Sequence, residues 1–294
     1  MRVIRSRRTT GTGRRTPDGF VAPGKAGLSE LTGACRPGLT PGLAVAFSLI
    51  YVFLVYCESN PEVPGPVDRG DVPLQILELT DRIRVVTDGN YWGANSLYYV
   101  SEEAIFFLDG TYLPQTANRI IWKSMTQGYG EFLGVLVSSY HIHRTGGLSA
   151  FHARDIPVLA SVETEKQIRR RWPQMQRQMD LFATWPDPPM PLISRTFRKD
   201  GLMFDGRVEV IALPPGYGPG NMAFFFPAEK VLYAGSLLSI PLYFDSDVNE
   251  KALLEALSIL KRKNPAVVVA GHGPPVQGPE FLDRMEQYVR RRMQ

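Results

Sequence analysis

Ser138-Ser139-Tyr140-His141-Ile142-His143-Arg144-Thr145-Gly146-Gly147 closes the apolar run that begins at Phe132, and it holds two of the chain's four histidines. An apolar run of strand length that breaks into a polar, glycine-ended loop reads as a buried strand that presents side chains at its end. That is where α/β proteins place their chemistry. The pattern recurs at Val267-Val268-Val269-Ala270-Gly271-His272-Gly273, which puts a third histidine in an equivalent position. Neutral imidazole is the commonest nitrogen ligand of zinc, and metal sites gather ligands from loops far apart in sequence. His141, His143 and His272 therefore mark a candidate metal site.

Outward from this loop, the apolar patterning predicts an α/β domain. Leu74–Leu79, Ile83–Thr87, Ser96–Val100 and Ala104–Leu108 are of strand length and are separated by turn residues, as in an antiparallel meander. Pro114–Met125 reads as a helix with proline at its start. A strand over Phe132–Ser138 leads into the histidine loop, and a helix is expected to open at Gly146-Gly147. Ile156–Ala160 reads as a strand, and Val162–Thr184 as a polar helix interrupted at Pro173. Trp185–Pro191 is too proline-rich to be regular and is expected to divide the domain into halves. Strands near Phe204 and over Val208–Leu213, Met222–Phe226 and Val231–Ala234 follow. The helix Asn249–Lys263, the strand Ala266–Ala270 and the helix Pro279–Met293 complete the chain. Two β-rich halves, each ending in helix, predict two sheets packed face to face with helices outside.

Charge separates this body from a leader. Residues 1–56 hold eight of the 33 basic residues and two of the 29 acidic ones, which leaves a formal charge of −2 on the remainder. The body thus lacks the basic excess of a nucleic-acid-binding protein. The arginine-rich start precedes an uncharged apolar stretch, residues 43–56, shorter than the roughly 20 residues of a membrane-spanning helix and matching the core of an export signal. We read residues 1–57 as an export leader, 58–71 as a proline-rich tether and 72–294 as the folded domain. Leu54-Val55-Tyr56-Cys57 loosely resembles a lipoprotein box, with Tyr56 departing from it. Simple secretion and an uncleaved membrane anchor stand beside lipidation. The expected location is exported, periplasmic or membrane-anchored. Cys35 and Cys57 are the only cysteines, so the body offers no thiolate and no disulfide.

The order of these motifs resembles the metallo-β-lactamase superfamily, and most closely its true zinc β-lactamases with a three-histidine site beside an Asp-Cys-His site. The motifs are Leu108-Asp109-Gly110, Arg144-Thr145-Gly146-Gly147, Pro214-Pro215-Gly216-Tyr217-Gly218-Pro219-Gly220-Asn221, Ala234-Gly235-Ser236 and Ala270-Gly271-His272-Gly273. The resemblance implies a four-layer αβ/βα sandwich. It also implies a degenerate metal site. Ser139 stands at the first histidine position, His141 is kept, and His143 takes the aspartate position. Tyr217 replaces the third histidine, Ser236 the cysteine ligand, and His272 is kept.

The leading functional expectation is a metal-dependent hydrolase with one zinc ion held by His141, His143, His272 and Ser236. In it Tyr217 is the catalytic phenol, Asp109 supports a metal-binding histidine, and Trp92, in a hairpin loop, contacts substrate. The alternative is an inactive member that binds a ligand or partner in the old groove. Both take a small molecule, no nucleic acid, and a monomer.

Overall fold

The strand Ala104–Leu108 is apolar at every position, and all five residues are buried. A strand that reads as a continuous apolar run must be covered on both faces. In the computed structural model, which describes residues 74–294 except 90, 129, 183–188, 199, 241–247 and the side chains of 178–182, it lies in the middle of a seven-stranded sheet. The expected leader and tether, with both cysteines, lie outside the described residues.

The first sheet runs in chain order. Strands β1 (Gln75–Glu78), β2 (Ile83–Asp88), β3 (Ala94–Val100) and β4 (Ala104–Leu108) form the expected antiparallel meander. Its tight turns are set by hydroxyls: Thr80 Oγ1 accepts from the Ile83 amide at 2.9 Å, and Ser101 Oγ from the Ala104 amide at 3.0 Å. The next three strands, β5 (Glu131–Leu136), β6 (Val158–Ser161) and β7 (Arg195–Phe197), pair in parallel and so need crossovers. Helix α1 (Pro114–Met125) makes the first; the single turns α2 (Ile142–Thr145) and α3 (Ser149–His152) make the second. Helix α4 (Val162–Phe182) makes the third.

The second sheet begins with the antiparallel strands β8 (Gly201–Met203), β9 (Val208–Ala212), β10 (Met222–Phe226) and β11 (Val231–Tyr233). Helix α5 (Glu250–Lys261) returns the chain to β12 (Val267–Val269), parallel to β11, and β13 (Val276–Gln277) closes the edge before helix α6 (Gly278–Arg292). Asn249 caps α5, its side chain accepting from the Ala252 amide.

Strand alternation sorts the side chains into layers. Leu97, Tyr99, Phe106 and Leu108 of the first sheet meet Val210, Phe224, Phe226 and Tyr233 of the second in a core between the sheets. Tyr98, Phe107 and Val135 point the other way, onto Ile120 and Ile121 of α1 and Phe151 of α3. The outer face of the second sheet packs Leu232 and Val268 against Leu253, Leu257 and Leu260 of α5 and Phe281 and Leu282 of α6. Helix, sheet, sheet, helix is the expected four-layer αβ/βα sandwich.

Three local expectations are corrected. The helix expected to open at Gly146-Gly147 is the single turn Ser149–His152: the glycines themselves follow α2, and a Cβ on Gly147 would sit 2.1 Å from the Gly110 carbonyl oxygen. The glycines let the chain lie against residues 110–113. Pro173 does not interrupt α4, because Ile168, Trp172 and Met175 on its two sides are anchored in one buried cluster. The division between halves falls after β7, which joins the first sheet although it follows the proline-rich stretch. Among the described residues no helix is long and apolar enough to cross a membrane.

The packing sets a stability expectation. Leu257 is fully buried, so Leu257→Ala should lower the unfolding free energy by about 2–5 kcal/mol in urea titrations followed by circular dichroism. Trp122 is 59% exposed, and Trp122→Ala should change it by no more than about 0.5 kcal/mol.

Candidate active site

Every predicted site residue except Trp92 and Tyr217 lies at or just beyond the carboxyl end of a strand that takes part in parallel pairing. Asp109 follows β4; His141 and His143 follow β5; Ser236 sits in a 3-10 turn, Gly235–Leu237, after β11; His272 follows β12. Asn95 of β3 ties the two sheets together here. Its amide donates to the Gly271 carbonyl at 2.8 Å, and its side-chain nitrogen donates to the carbonyls of Ala270 (3.0 Å) and Gly273 (2.6 Å). The His272 loop is thereby stapled to the first sheet.

Beneath the site lies an ionic pair that sequence reasoning did not single out. Arg144 and Asp109 are both fully buried, with Arg144 Nε 3.6 Å from Asp109 Oδ2. The guanidinium also donates from Nε to Ser236 Oγ (3.1 Å), from Nη1 to Tyr233 Oη (2.9 Å) and to the Asn95 carbonyl, and from Nη2 to the Gly271 carbonyl (3.0 Å). Asp109 accepts from the Ser138 amide and hydroxyl, each at 2.7 Å, and from the Tyr233 hydroxyl at 2.6 Å. Tyr233 has one proton for two acceptors, Asp109 and the Asn95 carbonyl at 2.7 Å. The carboxylate is the charged and nearer acceptor, so the phenol proton goes to Asp109. Burial pushes the Asp109 carboxyl up from its ordinary range, opposed by Arg144 and the hydrogen bonds; burial pushes the Tyr233 phenol well up. Asp109 was expected to support a histidine; its partners are Ser138, Tyr233 and Arg144 instead.

Above this pair, hydroxyls and imidazoles bond directly to one another. Ser139 Oγ lies 3.0 Å from His141 Nδ1 and 3.0 Å from Ser236 Oγ, and Ser236 Oγ lies 3.3 Å from His143 Nε2. His143 Nδ1 is buried without a hydrogen-bond partner. Burial, then the Arg144 charge, then the two neighbouring histidines hold His143 well below its ordinary pKa. Burial and Arg144 bring His272 down to about 3, although part of its ring reaches solvent and Nδ1 donates to the Trp92 carbonyl at 3.2 Å. Both rings are therefore neutral at physiological pH.

Aromatic rings roof the site. Tyr91 stacks on His143 with ring centres 4.8 Å apart and 17° between planes, and it also packs on Tyr112 (4.8 Å) and Trp92 (5.1 Å). Tyr91, rather than Trp92, is the ring that covers an imidazole; Trp92 is 44% exposed and reaches the site through its backbone carbonyl. Tyr217 stands beside His141, ring centres 5.0 Å apart. Arg171, expected on a solvated face, lies 4.5 Å over the Tyr140 ring, which stacks on His141.

The resemblance implies zinc, and the donor set can be tested against it. His143 has His141 and His272 beside it, ring centres 5.7 and 5.2 Å away, close to the roughly 5 Å expected of two imidazoles in one tetrahedral zinc shell. Yet among the described residues no three His, Cys, Asp or Glu side chains are arranged to hold a metal ion. Ser139 and Ser236 bond to imidazole nitrogens instead of flanking an open point. The Asp109 carboxylate is committed to Arg144, whose fixed positive charge touches Ser236 and opposes a dication. As arranged, the expected set of His141, His143, His272 and Ser236 does not fit a zinc centre.

Removing one member of the buried pair leaves the other charge unpaired, so Arg144→Met and Asp109→Asn should each cost about 3–5 kcal/mol in urea unfolding. The double variant should cost less than the sum of the two. Acid should weaken the fold. His143 and His272 stay neutral when folded, whereas the unfolded chain protonates them below about pH 6.5. The unfolded state then binds more protons, so this contribution is complete above that pH and is lost as pH falls towards about 3. Urea unfolding across that range should show the fall, and His272→Gln should lessen it.

A family model for the metallo-beta-lactamase superfamily matches residues 132–272, the span from β5 to the His272 loop. Among solved structures, DIM-1 metallo-beta-lactamase exposed to ceftazidime is 18% identical, with 75% of this chain and 98% of that one covered at a TM-score of 0.63. TMB-1 is 20% identical over 76% of this chain and all of its own, with a TM-score of 0.61. The mono-zinc form of FIM-1 metallo-beta-lactamase from Pseudomonas aeruginosa is 18% identical over 75% and 96%, with a TM-score of 0.59. At these identities the likeness to the lactamases is one of fold. The matched span carries the strand ends after β5, β11 and β12, and over residues 132–272 the chain matches the metallo-β-lactamase superfamily, whose fold it shares.

Proposed function

We propose that this domain is a ligand-binding member of the superfamily that does not carry out two-metal hydrolysis. The observation that carries this reading is the contact between Ser139 and Ser236, each of which also bonds to an imidazole. In the resemblance these two positions belong to a metal-binding histidine and cysteine; here they close on each other. What is left is a site of imidazoles and hydroxyls walled by Tyr91, Tyr140 and Tyr217. Such a wall suits a small organic molecule with a planar or apolar face and a few hydrogen-bonding groups. The arginine-rich leader and the apolar stretch over residues 43–56 support an exported location, periplasmic or membrane-anchored.

A second reading is a hydrolase with one zinc among His141, His143 and His272, with Tyr217 alongside. The unpartnered Nδ1 of buried His143 favours it. Metal analysis of the full chain after exposure to zinc and dialysis separates the two, together with turnover of a chromogenic cephalosporin. We expect well below one zinc per chain and no hydrolysis above a protein-free control. One zinc per chain, lost in both His141→Ala and His272→Ala, would overturn the binding reading in favour of the zinc one.

A further inference from the structure

Helix α1 turns its largest side chain away from the core. Ala117, Ile120, Ile121 and Ser124 are buried against the outer layer of the first sheet, whereas Trp122 is 59% exposed. At about 100° per residue those four share one side of the helix, and Trp122 stands on the opposite side. Met125 lies three residues on, beside Trp122, and is 44% exposed. An indole and a thioether at the surface forfeit apolar burial that the domain itself does not recover.

The charges around this pair are of one sign. Pro114–Met125 contains no acidic residue, and its charged residues are Arg119 and Lys123. Lys123 is exposed, as is Arg154, which reaches the helix by donating from Nη1 to Asn118 Oδ1 and to the Ala150 carbonyl. Asn118 is one turn before Trp122, so cationic side chains stand on both flanks of the indole; the adjacent Asp155 offsets part of that charge. A shallow hollow of about 440 Å3 lies against Trp122 and Lys123, bounded by Asn118, Arg119 and Thr126. The body as a whole has a formal charge of −2, so a basic face here is a local feature.

We propose that the outward face of α1, with Trp122 and Met125 set among Lys123 and Arg154, docks the domain on an anionic phospholipid surface. This rests on the membrane-anchored location proposed above. Lysine is depleted in the cores of protein interfaces, whereas an indole flanked by long cationic side chains matches the headgroup layer of a bilayer. There the ring sits at the boundary of headgroup and acyl chain, the basic stems lie along apolar surface, and their charges meet lipid phosphates. Chain geometry permits it. Leu74, where the described domain begins, packs on the same cluster as Ile120 and Ile121. Residues 57–73, between it and the apolar stretch 43–56, span at most about 60 Å, enough to bring any face of a domain of this size to the membrane. The histidines stand at the strand ends, not on the α1 face, so a domain resting on α1 keeps its site open to solvent.

The test uses the full-length chain with vesicles of phosphatidylcholine containing about one-third phosphatidylglycerol. Part of the phosphatidylcholine is brominated high on its acyl chains, which quenches an indole on contact. Flotation reports association, and the difference between wild type and Trp122→Phe isolates Trp122 from Trp92, Trp172 and Trp185. Both proteins should float and unfold at the same temperature, and only wild type should lose the Trp122 share of its emission to the brominated lipid. Lys123→Glu should float equally and lose most of that quenching, as should wild type on phosphatidylcholine alone. Flotation without quenching of Trp122 would overturn the docking and leave the membrane-anchored location standing. A chain that floats with neither vesicle would overturn both. Quenching of Trp122 that persists in Lys123→Glu and without phosphatidylglycerol would overturn the anionic surface as the partner.

Discussion

The buried guanidinium of Arg144 is the constraint on which the site depends. A charge removed from water needs an opposite charge and a donor or acceptor for each polar group, and leaving it unmatched costs several kcal/mol. Arg144 meets this through Asp109, Tyr233, Ser236 and the carbonyls of Asn95 and Gly271. Those partners come from β3, from the ends of β4 and β11, and from the loop after β12, so one side chain fixes how the two sheets meet at the rim where the histidines stand. Gly271 shows how closely the fit is drawn: a Cβ there would lie 2.2 Å from Arg144 Nη2.

The same residue shapes the chemistry above it. Its charge helps keep His143 and His272 neutral, and its Nε–H fixes one lone pair of Ser236. Asp109 is held below, and among the described residues no three His, Cys, Asp or Glu side chains are grouped above it. The imidazoles and hydroxyls consequently bond to one another, and the Tyr91 ring closes over them. The fold of the metallo-β-lactamases is kept, and at the rim of its sheets imidazoles and hydroxyls bond to one another.

Much of the architecture was legible because strands covered on both faces read as unbroken apolar runs. Ala104–Leu108 and Met222–Phe226 are examples, and all their residues are buried. The neighbourhood of the site was legible because His141 and His272 follow such runs directly. What the sequence did not disclose depends on burial and on distant partners. Nothing local marks Arg144, among 33 cationic residues, as one that is fully buried. Asp109 was legible as a strand-end carboxylate, whereas its choice of Arg144 over a histidine is set by residues 35 positions further on. Trp92 and Tyr91 are adjacent in sequence, and nothing in that pair marks Tyr91 as the ring that turns inward; the backbone at Trp92 is left-handed, with φ of 46°. Pro173 misled for the opposite reason, since tertiary anchoring outweighed a strong local signal.

The Arg144 network also bears on the order of events in folding. Its hydrogen-bond partners Asn95, Tyr233, Ser236 and Gly271 lie 49, 89, 92 and 127 residues away along the chain. Contacts of that span are closed slowly, and the first sheet can assemble largely from near neighbours before they exist. A guanidinium enclosed before the second sheet arrives would be desolvated without its partners, which holds this corner open until the sheets dock. The feature that makes the native site rigid thus belongs to the last stage of its assembly. A chain halted before that stage would carry most of its strands and none of its site.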